Sequence, residues 1–204
     1  MALKKKKVTK KGAKNNIVLE TNKGNITIEL LSDLAPNHCK RILQLSKDKF
    51  FDDVVFHRVI DGFMAQTGDG QFGSLKNGLQ SDRVGMGGSD LPDLEAEFSS
   101  EPFVRGIVGM ARSQNPNSAN SQFFIMLEDS MHLNNQYTVW GKVLKGMDVV
   151  DRIKKGKGGN GEVKNPDRII SMKVVGDNIA EKPKEKKKPK ISPDDNKIVA
   201  ASSG

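Results

Sequence analysis

Three segments of the chain combine residue types that simple packing does not require. In Phe56-His57-Arg58-Val59-Ile60-Asp61-Gly62-Phe63-Met64-Ala65-Gln66-Thr67-Gly68-Asp69 an arginine sits inside an apolar strand, and five to eight residues later come an aromatic, a methionine and an amide. In Gly109-Met110-Ala111-Arg112-Ser113 through Ser121-Gln122-Phe123-Phe124-Ile125, a strand and a polar loop lead into a strand opening Gln-Phe-Phe. The third segment is Leu133-Asn134-Asn135-Gln136-Tyr137-Thr138-Val139-Trp140-Gly141-Lys142-Val143. A guanidinium is a cationic, planar fork of donors with no acceptor. Set among apolar groups, it suits stabilisation of electron density on a bound molecule.

Other chemistries find little support. His38, His57 and His132 lie far apart, and no Cys/His cluster has metal-ligand spacing. They read as ordinary core or surface histidines. Asp52-Asp53 would point to opposite faces of a strand and reads as a solvated turn. Gly85-Met86-Gly87-Gly88 is glycine-rich but lacks the lysine of a phosphate loop and the strand–glycine–helix setting of a dinucleotide site. Ser113, Ser118 and Ser121 have no nucleophile-elbow pattern around them. Asn25-Ile26-Thr27 is a glycosylation sequon only in form. An enzyme built on this chain would need no metal, no cofactor and no covalent nucleophile.

The elements that must position these segments are mostly short strands. Ile17–Glu20 and Ile26–Leu30 flank Asn22-Lys23-Gly24, a hairpin signal. Ser32 and Asp33 offer caps, Pro36 suits a first helical turn, and Cys39, Ile42, Leu43 and Ser46 give a helix one apolar stripe. Val54–Ile60 reads as one strand, and Asp61-Gly62 turns it into Phe63–Gln66. Residues 68–105 have little periodicity and predict loops. Strands resume at Gly106–Ala111, Gln122–Leu127 and Tyr137–Val143. A second helix is expected over 146–153, and Arg168–Val175 closes the domain as a strand. No internal repeat is present. Many short strands with two separated helices predict a mainly β protein, a closed antiparallel barrel and not alternating βαβ units.

The chain has 204 residues, enough for one domain with extensions, and 36% of them are hydrophobic. No apolar stretch approaches the roughly 20 residues that span a bilayer, and the basic N-terminus leads into no apolar signal region. One cysteine, Cys39, excludes an internal disulfide framework and fits a reducing compartment. A cytoplasmic location is expected, or a nuclear one in a nucleated cell. The net charge of +8 is unevenly placed: residues 1–14 carry +7 and residues 179–204 carry +3, leaving −2 between them. The pI of 9.5 therefore belongs to the two ends. We expect a basic disordered tail over 1–16, a folded domain over 17–178 and a lysine-rich disordered tail over 179–204. The tails are expected to make at most weak nucleic-acid contact, or to be solvated segments that aid solubility.

Taken in order, the three segments resemble the cyclophilin family of peptidyl-prolyl cis-trans isomerases. The carriers of the resemblance are FHRVI-x-GFM-x-Q-x-GD, beginning at Phe56, and SQFFI at Ser121–Ile125. The likeness covers about Ile17 to Val175. The short loop at Lys47–Asp53, the loop following Met110-Ala111-Arg112-Ser113, and Tyr137 resemble the bacterial-type branch. The resemblance implies a closed eight-stranded antiparallel β-barrel capped by two α-helices. It places the catalytic arginine on Arg58 and the orienting glutamine on Gln66. Phe63, Met64, Phe124 and Leu133 match the floor of a proline pocket, and Ala111, Arg112 and Gln122 match positions that bind the substrate's backbone and flank. Tyr137 stands where many eukaryotic members carry histidine, and His132 where they carry tryptophan. The latter departure implies weak cyclosporin binding. Proline-containing peptides and folding or folded client proteins are the implied partners of a monomer that needs no cofactor, metal or membrane.

Such a catalyst breaks no bond. The peptide C–N bond resists rotation by ~18–20 kcal/mol, and uncatalysed Xaa-Pro bonds exchange over tens to hundreds of seconds. A donor aimed at the prolyl nitrogen strengthens as that nitrogen pyramidalises, so it favours the twisted state over both planar ones. Taken singly, Arg58 would read as a strand-edge arginine paired with an acid, and Phe63, Met64 and Phe124 as core. Their shared register within the motif reverses both readings. The alternatives are a non-catalytic module that binds proline-containing peptides, and a ribosome- or nucleic-acid-associated factor using its tails.

Overall fold

The computed structural model describes residues 15–176; the expected tails lie outside these residues, apart from Asn15 and Asn16, which open the first strand. In chain order the elements are β1 (Asn15–Thr21), β2 (Gly24–Leu30), α1 (Pro36–Lys47), β3 (Arg58–Ile60), β4 (Met64–Thr67), β5 (Ile107–Met110), β6 (Phe123–Met126), a 3-10 turn at Met131–Leu133, β7 (Val139–Lys145), α2 (Met147–Arg152) and β8 (Ile169–Gly176). All eight strands form one antiparallel sheet in the order β3-β4-β6-β5-β7-β2-β1-β8.

The sheet curls into an open half-barrel and not the closed barrel expected from the sequence. Its terminal strands β3 and β8 do not pair; the chain before each meets the other only at an isolated bridge, Val55 to Arg168. The cause is a competitor for the backbone groups of β3. The loop at 156–163 occupies them, with Val59 N–H donating to Gly161 O at 2.8 Å and Gly156 N–H to Val59 O at 2.9 Å. The same competition shortens the strand expected over Val54–Ile60: Val55 N–H goes to Gly73 O, and Phe56 N–H to Asp167 O.

Helix α1 covers the half-barrel with His38, Cys39, Arg41, Ile42, Leu45 and Ser46 inward, while Leu43, expected in the stripe, is only half-buried. Its start is capped by neither Ser32 nor Asp33. The Glu97 carboxylate, distant in sequence, accepts from the backbone N–H groups of Asn37 (3.1 Å) and His38 (3.0 Å) and from His38 Nδ1 at 2.7 Å. Burial pushes the His38 imidazole below its ordinary pKa despite that partner, and the donors around Glu97 hold its carboxyl below the usual carboxylate range. A neutral imidazole donating to an anion satisfies both directions. No helix among the described residues is long and apolar enough to cross a membrane, and none of their His, Cys, Asp and Glu groups forms a cluster able to hold a metal.

Strand periodicity sorts the apolar residues into two bodies. Ala65, Val108, Phe123, Ile125 and Trp140 belong to the main core, where Phe123 meets Phe51 and Trp140 edge-on at 5.7 and 5.4 Å. Met64, Ile107, Phe124, Met126 and Val139 face the other way, into a smaller cluster completed by Phe103 and Leu133. That outer cluster carries the site.

Candidate active site

Strand register aligns the central residues. Arg58 lies opposite Gln66 across β3–β4, Gln66 opposite Phe124 across β4–β6, and Phe124 opposite Gly109 across β5–β6. Directly opposed residues share a face of a sheet, so this row runs from a cation through an amide to an aromatic ring. It ends at glycine for a steric reason. A Cβ at Gly109 would sit 2.5 Å from Phe124 Cζ and 2.7 Å from Phe103 Cε1. Without it the Phe124 ring reaches over Gly109, stacked on Phe103 at 5.9 Å and edge-on to Tyr137 at 5.6 Å.

Arg58, Phe63, Met64, Gln66, Ala111, Arg112, Phe124, Leu133 and Tyr137 line one cavity of about 110 Å³. Pockets for drug-sized ligands run to roughly 300–1,000 Å³, so this one has room for little more than a small ring. Met64, Phe124 and Leu133 are buried, and Phe63 forms an outer wall stacked on His132 at 5.9 Å. The 3-10 turn delivers Leu133, and its loop is fastened by Phe103 N–H to Asn134 Oδ1 (2.9 Å) and Ser130 N–H to Phe103 O (2.7 Å).

Arg58 has no acidic partner among the described residues, against the isolated reading of a strand-edge ion pair. Its Nε donates to the Asn160 carbonyl at 2.8 Å and its Nη1 to Gln66 Oε1 at 3.2 Å. Two neutral acceptors thus fix the plane of the guanidinium without neutralising its charge, and a carboxylate would have competed with any substrate for it. Arg112 is held differently. Its ring-facing guanidinium lies 4.5 Å from the Tyr137 centroid, and it donates to the carbonyls of Gln136 and Ser113. It therefore ties two loops together at the rim.

Gln122 lies beside this cavity, in an adjoining one of about 460 Å³ that shares Gln66, Ala111 and Arg112 with it. Gly85, Met86, Gly87, Gly88, Asp93 and Asn120 add polar walls. All ten sequence-predicted residues thus come together around two joined cavities, the smaller lined mostly by apolar and aromatic side chains, the larger mostly by polar side chains and glycines. Sequence reasoning missed Asn160, Phe103 and the Gly85–Gly88 loop. Only the last left a signal, its run of glycines; a backbone carbonyl leaves none. Behind the loop, burial pushes His57 down to about 4, so its ring is uncharged at neutral pH.

The family model for "Cyclophilin type peptidyl-prolyl cis-trans isomerase/CLD" matches residues 16–174. The chain belongs to this family. A probable peptidyl-prolyl cis-trans isomerase of Brucella suis is 58% identical over 164 residues, which span 80% of this chain and 84% of the relative. The peptidyl-prolyl cis-trans isomerase-like 3 of Gallus gallus is 38% identical over 139 residues, 68% of this chain and 81% of the relative. Among solved structures, a cyclophilin-type isomerase of Cryptosporidium parvum, crystallised in the presence of the dipeptide Ala-Pro, superposes with a TM-score of 0.67. It is 26% identical and covers 78% of this chain and 98% of its own. The cyclophilin AquaCyp293 of Hirschia baltica gives a TM-score of 0.65 at 25% identity, over 84% and 80% of the two chains. The chain is a peptidyl-prolyl cis-trans isomerase of the cyclophilin type, and no observation favours a non-catalytic module.

Proposed function

We propose that the isomerase grips the pyrrolidine ring of a proline-containing peptide in the small cavity and twists the preceding imide beside Arg58. Phe63, Met64, Phe124 and Leu133 hold the ring and exclude water. Arg58 donates to the prolyl nitrogen as its lone pair leaves the amide π-system. Gln66 orients Arg58, and Ala111, Arg112 and Gln122 hold the chain on one side so that the other rotates. The observation that carries this reading is the unneutralised guanidinium, fixed by Gln66 and Asn160, on the wall of a cavity the size of one small ring. A charge-assisted bond of this kind in a water-poor site contributes about 2–4 kcal/mol to the twisted state, or roughly 30- to 1,000-fold in rate.

The test is the isomerisation rate of a short Xaa-Pro peptide with wild type and Arg58→Ala side by side. A loss of at least 30-fold is expected; equal rates would end this assignment. The clients are proline-containing segments of folding and folded chains, met by a monomer in a reducing, cytoplasmic compartment. The single buried cysteine supports that location. His132 stacked on Phe63, in place of a larger indole, supports weak cyclosporin binding. The charge of residues 1–14 and 179–204 supports weak, salt-sensitive nucleic-acid contact through those segments alone.

A further inference from the structure

Asp69 is not among the residues that line the small cavity, yet its surroundings lead to Arg58 in four hydrogen-bonded steps. The residue is fully buried. Its Oδ1 accepts from the backbone N–H groups of Gln71 (3.1 Å) and Phe72 (2.9 Å), and its Oδ2 from those of Gly85 (2.7 Å) and Gly87 (3.0 Å). A buried carboxylate with four backbone donors has no latitude left. The approach also needs glycine: a Cβ on Gly87 would lie 2.3 Å from Asp69 Oδ1.

With their N–H groups drawn onto Asp69, Gly85 and Gly87 offer their carbonyls to Gln122, whose Nε2 donates to both, at 2.9 and 2.8 Å. Both amide protons of Gln122 are then used. Its Oε1 is left to accept from Gln66 Nε2 at 3.0 Å, and Gln66 must turn its own Oε1 to Arg58 Nη1. Reversing either amide would set oxygen against carbonyl oxygens at one end and an NH2 against the guanidinium at the other. Side-chain amides have no polarity preference of their own. The direction of this two-amide relay is enforced at both ends, by the donor-only guanidinium and by the loop carbonyls, and the loop end is the one Asp69 holds in place.

We propose that Asp69 is a positioning residue for catalysis: by fixing the carbonyls of Gly85 and Gly87 it dictates the polarity of Gln122 and Gln66, so that an acceptor faces Arg58. The proposal rests on Arg58 acting as the donor in the twisted state.

The test is a double-mutant cycle on turnover at saturating substrate, followed by NMR exchange. The substrate is a blocked Ala-Pro amide, kept short to limit its contact with the larger cavity. Asp69→Asn and Gln122→Met are each expected to lower kcat about tenfold and change KM less than twofold, and the double variant is expected to be no worse than either, because both cut one relay. The Arg58 Nε–H resonance should shift in both single variants. Losses that multiply in the double variant, a kcat of Asp69→Asn within twofold of wild type, or an unmoved Arg58 resonance would overturn the proposal. If Asp69→Asn does not fold, Gly87→Ala replaces it in the cycle with the same expectations, since its Cβ displaces the carboxylate. Arg58→Ala, run alongside, separates the two failures: if it slows turnover while Asp69→Asn does not, only the relay falls, and if neither does, the mechanism itself falls.

Discussion

Neighbouring residues in the same strands do unlike work. Phe123 and Phe124 are adjacent and both nearly inaccessible, yet Phe123 packs into the main core between Phe51 and Trp140 while Phe124 lines the small cavity. Ala65 and Gln66 divide in the same way, as do His57, buried behind the glycine loop, and Arg58, on the cavity wall. The two-residue period of a strand is what allows this. Inward side chains bury area and hold the half-barrel; outward ones, on the same rigid backbone, are spaced for chemistry. A site on strands is also held more firmly than one on loops, which suits the role proposed for the Arg58 donor.

The sharpest way to break this division is at the paired phenylalanines. Phe123→Ala is expected to cost about 3–5 kcal/mol of stability, the usual loss for an emptied aromatic site in a core, with the folded fraction keeping an activity within a few-fold of wild type. Phe124→Ala should reverse the balance. One side of its ring faces the cavity, so the expected stability loss is smaller, about 2 kcal/mol, while kcat/KM falls at least tenfold. Urea midpoints and isomerase assays on the two proteins check this. Matching losses in both quantities for both variants would show that the faces are not separate.

A smaller effect sharpens the contrast between His57 and Arg58. The folded-state pKa of His57 is pushed from 6.5 down to about 4 by burial, so the unfolded chain binds its proton more readily. Stability therefore rises with pH across that interval and is lost as pH falls through it. Between pH 7 and pH 5 the expected loss from this one group is about 2 kcal/mol, and His38, also shifted down by burial, acts in the same direction. Urea midpoints of wild type should fall over this range, and His57→Gln should flatten the slope. An unchanged slope in that variant would place the proton uptake elsewhere.

Much of the site was legible because it lies on contiguous motif residues. Arg58, Phe63, Met64, Gln66 and Phe124 stand in two short runs whose alternation also fixes which face they share. The rest depended on contacts that carry no local signal. The half-barrel stays open because the loop at 156–163 takes the backbone groups of β3, and backbone pairing between distant segments leaves no trace in side-chain periodicity. For the same reason Asn160 escaped notice, since only its carbonyl acts on Arg58. The start of α1 misled in another way: Ser32 and Asp33 are good caps, but Glu97 arrives from elsewhere in the chain and supplies two acceptor oxygens at once. Phe103 sits in an aperiodic stretch, and nothing nearby marks it as the support of Phe124.

The central claim is that Arg58 acts on the twisted imide and not on the bound ground state. Its most direct test is to measure, by NMR on one proline-containing peptide, both the affinity for Arg58→Ala and the cis–trans exchange rate within the bound complex. The expected result is a Kd within about threefold of wild type and a bound-state exchange rate at least 30-fold slower, the signature of an interaction gained only at the transition state. Weakened binding with an unchanged exchange rate would contradict it, and would make Arg58 a substrate clamp.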